Sequence, residues 1–193
     1  MTDHRPLSAD LARIAVFAAL IIVLGTVMVP LPGGVPITGQ TLGVMLAGLV
    51  LGARRAPLAV ILVLALAAIG LPVLAGGRGG LGAFAGPSAG YLLGWVFGAA
   101  VIGLIAHLGR LVWWRTALAT LVGGIGVVYL FGIPVQAIVT GVPLDLTALS
   151  TLAFLPGDLI KAGIATVLAL GLQRAYPPAF PARRRPARAS ALS

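Results

Sequence analysis

Asp158 and Lys161 stand three residues apart in the run Pro156-Gly157-Asp158-Leu159-Ile160-Lys161. On a helix that spacing puts both on one face, one turn apart. Lys161 is the only lysine of the chain, and the other acidic residues, Asp3, Asp10 and Asp145, fall in a tail or a connection. The pair opens the last apolar segment of a very apolar protein. A charged pair at the lip of a membrane span is costly to keep, so it reads first as a functional site. Its chemistry is recognition: the carboxylate accepts from N–H groups while the ammonium donates to a carbonyl, which together suit a urea-like or amide-like group. A structural ion pair at a helix start, where aspartate favours the helix dipole, is the plainer alternative.

The frame around this pair is a membrane. Of 193 residues, 60% are apolar types and 9% are charged, against about 25% charged in soluble domains. The mean hydropathy is +1.11. The 27 glycines fit helices that approach closely in lipid. There is no cysteine, which excludes disulfide and thiol chemistry, and His4 and His107 stand apart, so no metal site is expected. The net charge of +9 would suggest nucleic acid, but its residues sit at the ends of apolar spans, the pattern of membrane topology. No nucleic-acid partner is expected.

Hydropathy and breakers predict an all-α integral membrane protein with six transmembrane helices and both termini cytoplasmic. Residues 1–10 form a polar cytoplasmic tail in which Ser8 or Asp10 caps the next helix. Residues 11–174 form the membrane domain, with spans near 11–29, 36–53, 57–74, 88–107, 116–139 and 156–174. The first is read as a retained span, since Pro30-Leu31-Pro32 is no small-residue cleavage site. Residues 175–193 form a basic, disordered cytoplasmic tail. The connection from Val29 to Thr41, rich in proline and glycine, reads as neither helix nor strand and as either a stiff turn or a lid. Gly123, Gly124, Gly126, Gly132 and Pro134 loosen the fifth span.

With six spans, 11 of the 13 basic residues fall on one face, leaving Arg78 and Lys161 as exceptions. By the positive-inside rule that face is cytoplasmic. The exceptions lie in the outer half, with Thr38, Gln40, Thr41, Ser88, Tyr91 and Asp158. Apolar walls with a few convergent polar groups make a small-molecule site. Arg78, or the glycine-rich backbone around it, suits a carboxylate, although snorkelling to headgroups is the alternative. Gln40 serves either the ligand or the loop backbone, and Tyr91 either the ligand or the interface. Trp113 and Trp114 read as interfacial anchors. Ala15 and Ala19 form a small-xxx-small pair, for packing within the bundle or, if outward, for a partner helix. The stretch GGRGGLG lacks a P-loop ending, so the chain is not expected to bind or hydrolyse ATP. No second carboxylate, histidine pair or Ser/His set accompanies Asp158, so an enzyme is not expected.

Four stretches together resemble the BioY family: Pro36-Ile-Thr-Gly-Gln-Thr-Leu-Gly, Gly70-Leu-Pro-Val-Leu-Ala-Gly-Gly-Arg-Gly-Gly, Gly86-Pro-Ser-Ala-Gly-Tyr-Leu-Leu-Gly and Phe154-Leu-Pro-Gly-Asp-Leu-Ile-Lys-Ala. They span about residues 8–173. The resemblance implies the biotin-specific substrate-binding subunit of an energy-coupling-factor transporter. Such a subunit is a multi-pass protein of the cell (inner) membrane that binds extracellular biotin and delivers it inward. It implies as partners a transmembrane coupling subunit and two ABC-type ATPase subunits, which use the ATP; the chain itself needs no cofactor. It also implies that Asp158 and Lys161 hold the ureido end of biotin, that Gln40 and Arg78, with Thr38 and Tyr91, add contacts, and that Ala15 and Ala19 dock the coupling subunit. A subunit of the same class for another vitamin or small heterocycle is the alternative.

Overall fold

The computed structural model describes residues 7–30 and 34–181. Five helical stretches within it are long and apolar enough to cross a membrane. Helix α1 runs Leu7–Leu24, earlier than the apolar run suggests. Ser8 and Asp10 therefore sit inside its first turn rather than ahead of it, and Asp10 pairs with Arg55 at 2.7 Å. The helix ends at Gly25, whose N–H bonds Ile22 at 2.9 Å. Ile14, Ala18 and Ile21, at helical spacing, face inward.

The connection that follows is not wholly irregular. Strand β1 (Met28–Val29) pairs antiparallel with β2 (Ile37–Thr38). The Gly39 N–H also bonds Val27 O at 2.9 Å, so the backbone at the foot of this segment finds partners that a free loop would lack.

Helix α2 spans Gln40–Ala68 but breaks at Gly52, where φ is 78° and ψ 177°. That conformation is essentially reserved for glycine. A straight helix of 29 residues would be about 43 Å long, yet the Gln40 side chain bonds Val73 O at 3.1 Å. The chain therefore turns back at Gly52, and residues 40–51 and 53–68 run as two arms. The His107 Nε2 meets Leu49 O at 2.9 Å, using one of the carbonyls that the break frees.

Helix α3 (Ala89–His107) packs closely on α2. A Cβ on Gly48 would lie 2.6 Å from Ile102 Cγ2, so only glycine permits that approach. Next come α4 (Trp113–Ala119), a π-helical stretch (Thr120–Val127) and α5 (Val128–Thr140), which continue one another. The π-helical stretch is where Gly123, Gly124 and Gly126 loosen the span. Helix α6 (Leu144–Thr151) is short, and α7 (Leu155–Ala175) carries Pro156 in its first turn and Asp158 a turn in.

The two ends of the bundle differ in charge. Arg13 donates to Pro178 O at 2.8 Å, Arg115 to Arg110 O at 2.9 Å, and Arg55 pairs with Asp10. A Cβ on Gly52 would lie 3.0 Å from Pro181 and 3.6 Å from His107. These contacts gather Arg13, Arg54, Arg55, Arg110, Arg115 and Arg174 at one end. Residues 176–181 lie there too, with Phe180 buried. The arginine-rich part of the tail, 182–193, lies outside the described residues, as do His4 and Arg5. Trp113 and Trp114 are exposed at this end, with Arg115 over the Trp114 ring at 5.0 Å.

A candidate ligand cavity at the opposite end of the bundle

Arg78 and Lys161 are found at the opposite end, around one cavity. The cavity is open at its mouth, and its empty space, open solvent included, comes to about 570 Å³. Its lining includes all six residues expected to bind ligand: Thr38, Gln40, Arg78, Tyr91, Asp158 and Lys161. Sequence-distant elements bring them together: β2, the first turn of α2, the 70–88 loop, α3 and the first turns of α7.

Asp158 is 6% exposed. Its Oδ1 accepts from Lys161 Nζ at 2.9 Å and its Oδ2 from the Tyr129 hydroxyl at 2.8 Å. Lys161 Nζ also donates to Thr41 Oγ1 at 3.1 Å. The pair is thus a small network tying α7 to α2 and α5. One N–H of the ammonium and a second lone pair on each carboxylate oxygen are left over. Buried charges of this kind are stable only when so satisfied.

Gln40 is 1% exposed. Its Nε2 donates to Val73 O at 3.1 Å and its Oε1 accepts from Ala75 N at 3.0 Å. Of the two roles expected for it, serving the loop backbone takes most of its amide, and it reaches the cavity as part of the wall. Its own N–H is held by Thr38 Oγ1 at 3.3 Å. Arg78 donates from Nε to Ala75 O at 3.1 Å and from Nη1 to Ser88 Oγ at 3.3 Å. It is folded onto the cavity's rim rather than out toward headgroups, with N–H groups left for an anion.

Tyr91 is buried, not an interfacial anchor. Its hydroxyl donates to Gln136 Oε1 at 2.7 Å and lies 3.4 Å from Thr151 Oγ1. A side chain on Gly132 would strike its ring, so glycine there makes room for the tyrosine. Ala15 and Ala19 lie on the exposed face of α1, away from the bundle.

Three aromatic wall residues were missed from sequence: Trp95, Tyr129 and Phe154. Tyr91 meets Tyr129 and Phe154 edge-on, with ring centroids 6.4 Å apart in each case. Aromatic residues inside apolar spans look like ordinary packing. The one available signal was spacing, because Ser88, Tyr91 and Trp95 share a face of α3.

Comparison with known proteins gives the family. The model of the BioY family matches residues 1–178. The chain belongs to the BioY family. It is 48% identical over 186 residues to the biotin transporter BioY of Rhizobium etli, covering 90% of this chain and 97% of that one. It is 47% identical over 188 residues to the biotin transporter BioY of Rhodobacter capsulatus, covering 90% and 98%. Among solved structures it superposes with a TM-score of 0.83 on the S-component for biotin from an ECF-type ABC transporter. That chain is 35% identical, with 90% of this chain and 95% of that one covered. The relatives are transporters, in keeping with a chain read as no enzyme.

Proposed function

We propose that this chain captures biotin in the cavity between α2, α3, α5 and α7 and serves as the binding subunit of an energy-coupling-factor transporter. The observation that carries the reading is the closed Asp158–Lys161 pair on the cavity wall, still holding unused acceptor and donor capacity. A cyclic urea matches it, with an N–H to the Asp158 carboxylate and its oxygen to the Lys161 ammonium. The hydrocarbon chain runs along Leu92, Val128 and Phe154, and the carboxylate meets Arg78 at the rim. The names of the relatives support biotin as the ligand.

In the membrane, the two arms of α2 each cross once, which gives six crossings with both termini on one side. The arginine-rich end faces the cytoplasm and the cavity opens outward from the cell membrane. The exposed Ala15–Ala19 face of α1 docks the transmembrane coupling subunit, since small residues let a partner helix come close. Two ABC-type ATPase subunits complete the assembly and consume the ATP. Of the Val29–Thr41 connection, residues 31–33 lie outside the described residues, while Val35, Pro36, Ile37 and Thr38 stand on the cavity wall.

The test is equilibrium binding of labelled biotin to the purified chain. Asp158→Asn and Lys161→Ala are expected to weaken binding strongly while the protein still inserts. Parent-like binding by both variants would remove the site assignment. Preference for another vitamin would establish the alternative ligand instead.

A further inference from the structure

Every polar side chain on the cavity wall has a partner among the described residues except one. Trp95 is 5% exposed and lines the cavity, yet its indole N–H has no acceptor within reach. A tryptophan N–H is a donor only, and when buried it usually finds a partner. Leaving it unmet is costly. The N–H is closed off from water as well, so an acceptor brought by whatever fills the cavity would meet it after a small side-chain adjustment of the kind binding commonly brings.

The register of α3 says which part of a ligand that would be. Ser88, beside Arg78 at the rim, is seven residues before Trp95, so Trp95 lies about 10 Å further along the helix. Neighbouring Gly94 presses on Val128, since a Cβ there would be 2.9 Å from Val128 Cα. Val128 precedes Tyr129, whose hydroxyl reaches Asp158. Trp95 therefore stands on the wall at the Asp158 end of the cavity, away from Arg78. A carbonyl oxygen has two lone pairs. Lys161 has one N–H left after Asp158 and Thr41, enough for one of them.

We propose that Trp95 is a ligand-binding residue whose indole N–H donates to the second lone pair of the ureido oxygen. This rests on the reading of the cavity as a biotin site, and it makes Trp95 a determinant of specificity for a carbonyl at that position. Trp95→Phe keeps an aromatic ring and removes the donor. Biotin is compared with its imino analogue, in which the protonated C=NH group replaces the ureido oxygen and offers only donors. Trp95→Phe is expected to weaken biotin about tenfold and the imino analogue hardly at all. Equal losses for both ligands, as from a purely structural role, or no loss for biotin would overturn the proposal. Asp158→Asn in the same assay separates the two readings. If it binds biotin like the parent, the biotin site itself is misplaced; if it is weak while Trp95→Phe is unaffected, only the role of Trp95 fails. Should Trp95→Phe not fold, a chain carrying Trp113→Phe and Trp114→Phe leaves Trp95 as the sole tryptophan, excited selectively at the red edge of its absorption. Its fluorescence is expected to change with biotin and to saturate at one ligand per chain, and an unchanged spectrum would refute the contact.

Discussion

Tyr129→Phe isolates one bond of the central network. The Tyr129 hydroxyl donates to Asp158 Oδ2 at 2.8 Å, a bond to a charged acceptor of about 1.5–3 kcal/mol. The phenylalanine ring keeps the edge contact with Tyr91, so packing changes little. The bond exists without ligand, so its loss falls first on stability. At about 2–4 °C per kcal/mol for a chain of this size, the melting temperature drops by roughly 3–12 °C. Binding suffers less, because only the fixing of one carboxylate is lost. Re-ordering a side chain costs about 0.5–1.5 kcal/mol, so the affinity for biotin falls about two- to tenfold. The assay is thermal unfolding and biotin titration of the parent, Tyr129→Phe, Asp158→Ala and the double variant. In the Asp158→Ala background Tyr129→Phe is expected to cost little, because the acceptor is gone. Strictly additive losses in stability would refute the network.

Three further predictions follow from neighbouring contacts. Gln40→Ala strands Val73 O and Ala75 N, at about 1–3 kcal/mol each if left unmet; a melting scan should show a clear drop, and biotin should dissociate faster as the 70–88 loop loosens. Gly52→Ala forces a side chain into a glycine-only conformation at about 1–3 kcal/mol, with Pro181 only 3.0 Å from the new Cβ; stability should fall while biotin affinity, set at the other end, stays within about twofold. Ala15→Leu with Ala19→Leu adds bulk to an exposed face; biotin binding should be unchanged, and co-purification with the coupling subunit should be lost. Retained co-purification would move the docking surface elsewhere.

Much of the candidate site was legible because charge is rare here. In a chain with one lysine and four acidic residues, Asp158 and Lys161 cannot hide, and the arginine distribution singles out Arg78 without any knowledge of function. The ends of α3 and α7 were also readable, since Ser88, Pro156 and Arg174 punctuate them. What escaped were features set by contacts across the fold. Nothing local says that Asp10 pairs with Arg55 rather than capping a helix, or that Met28 and Val29 leave the first span to pair with Ile37 and Thr38. The Arg54-Arg55 and Pro57 signals marked a turn, but the backbone reversal falls on Gly52, whose φ of 78° favours glycine and where Pro181 packs close. Tyr129 and Trp95 were silent for a different reason. An aromatic residue within an apolar span is the commonest kind of packing residue, and only its hydrogen-bond partner, or the lack of one, marks it as part of a site.

The most direct measurement is retention of labelled biotin by membranes containing this chain, with labelled thiamin and riboflavin as parallel controls. Selective retention of biotin, abolished by Asp158→Asn, is the expected result. Equal retention of all three vitamins, or of none, would contradict the biotin site.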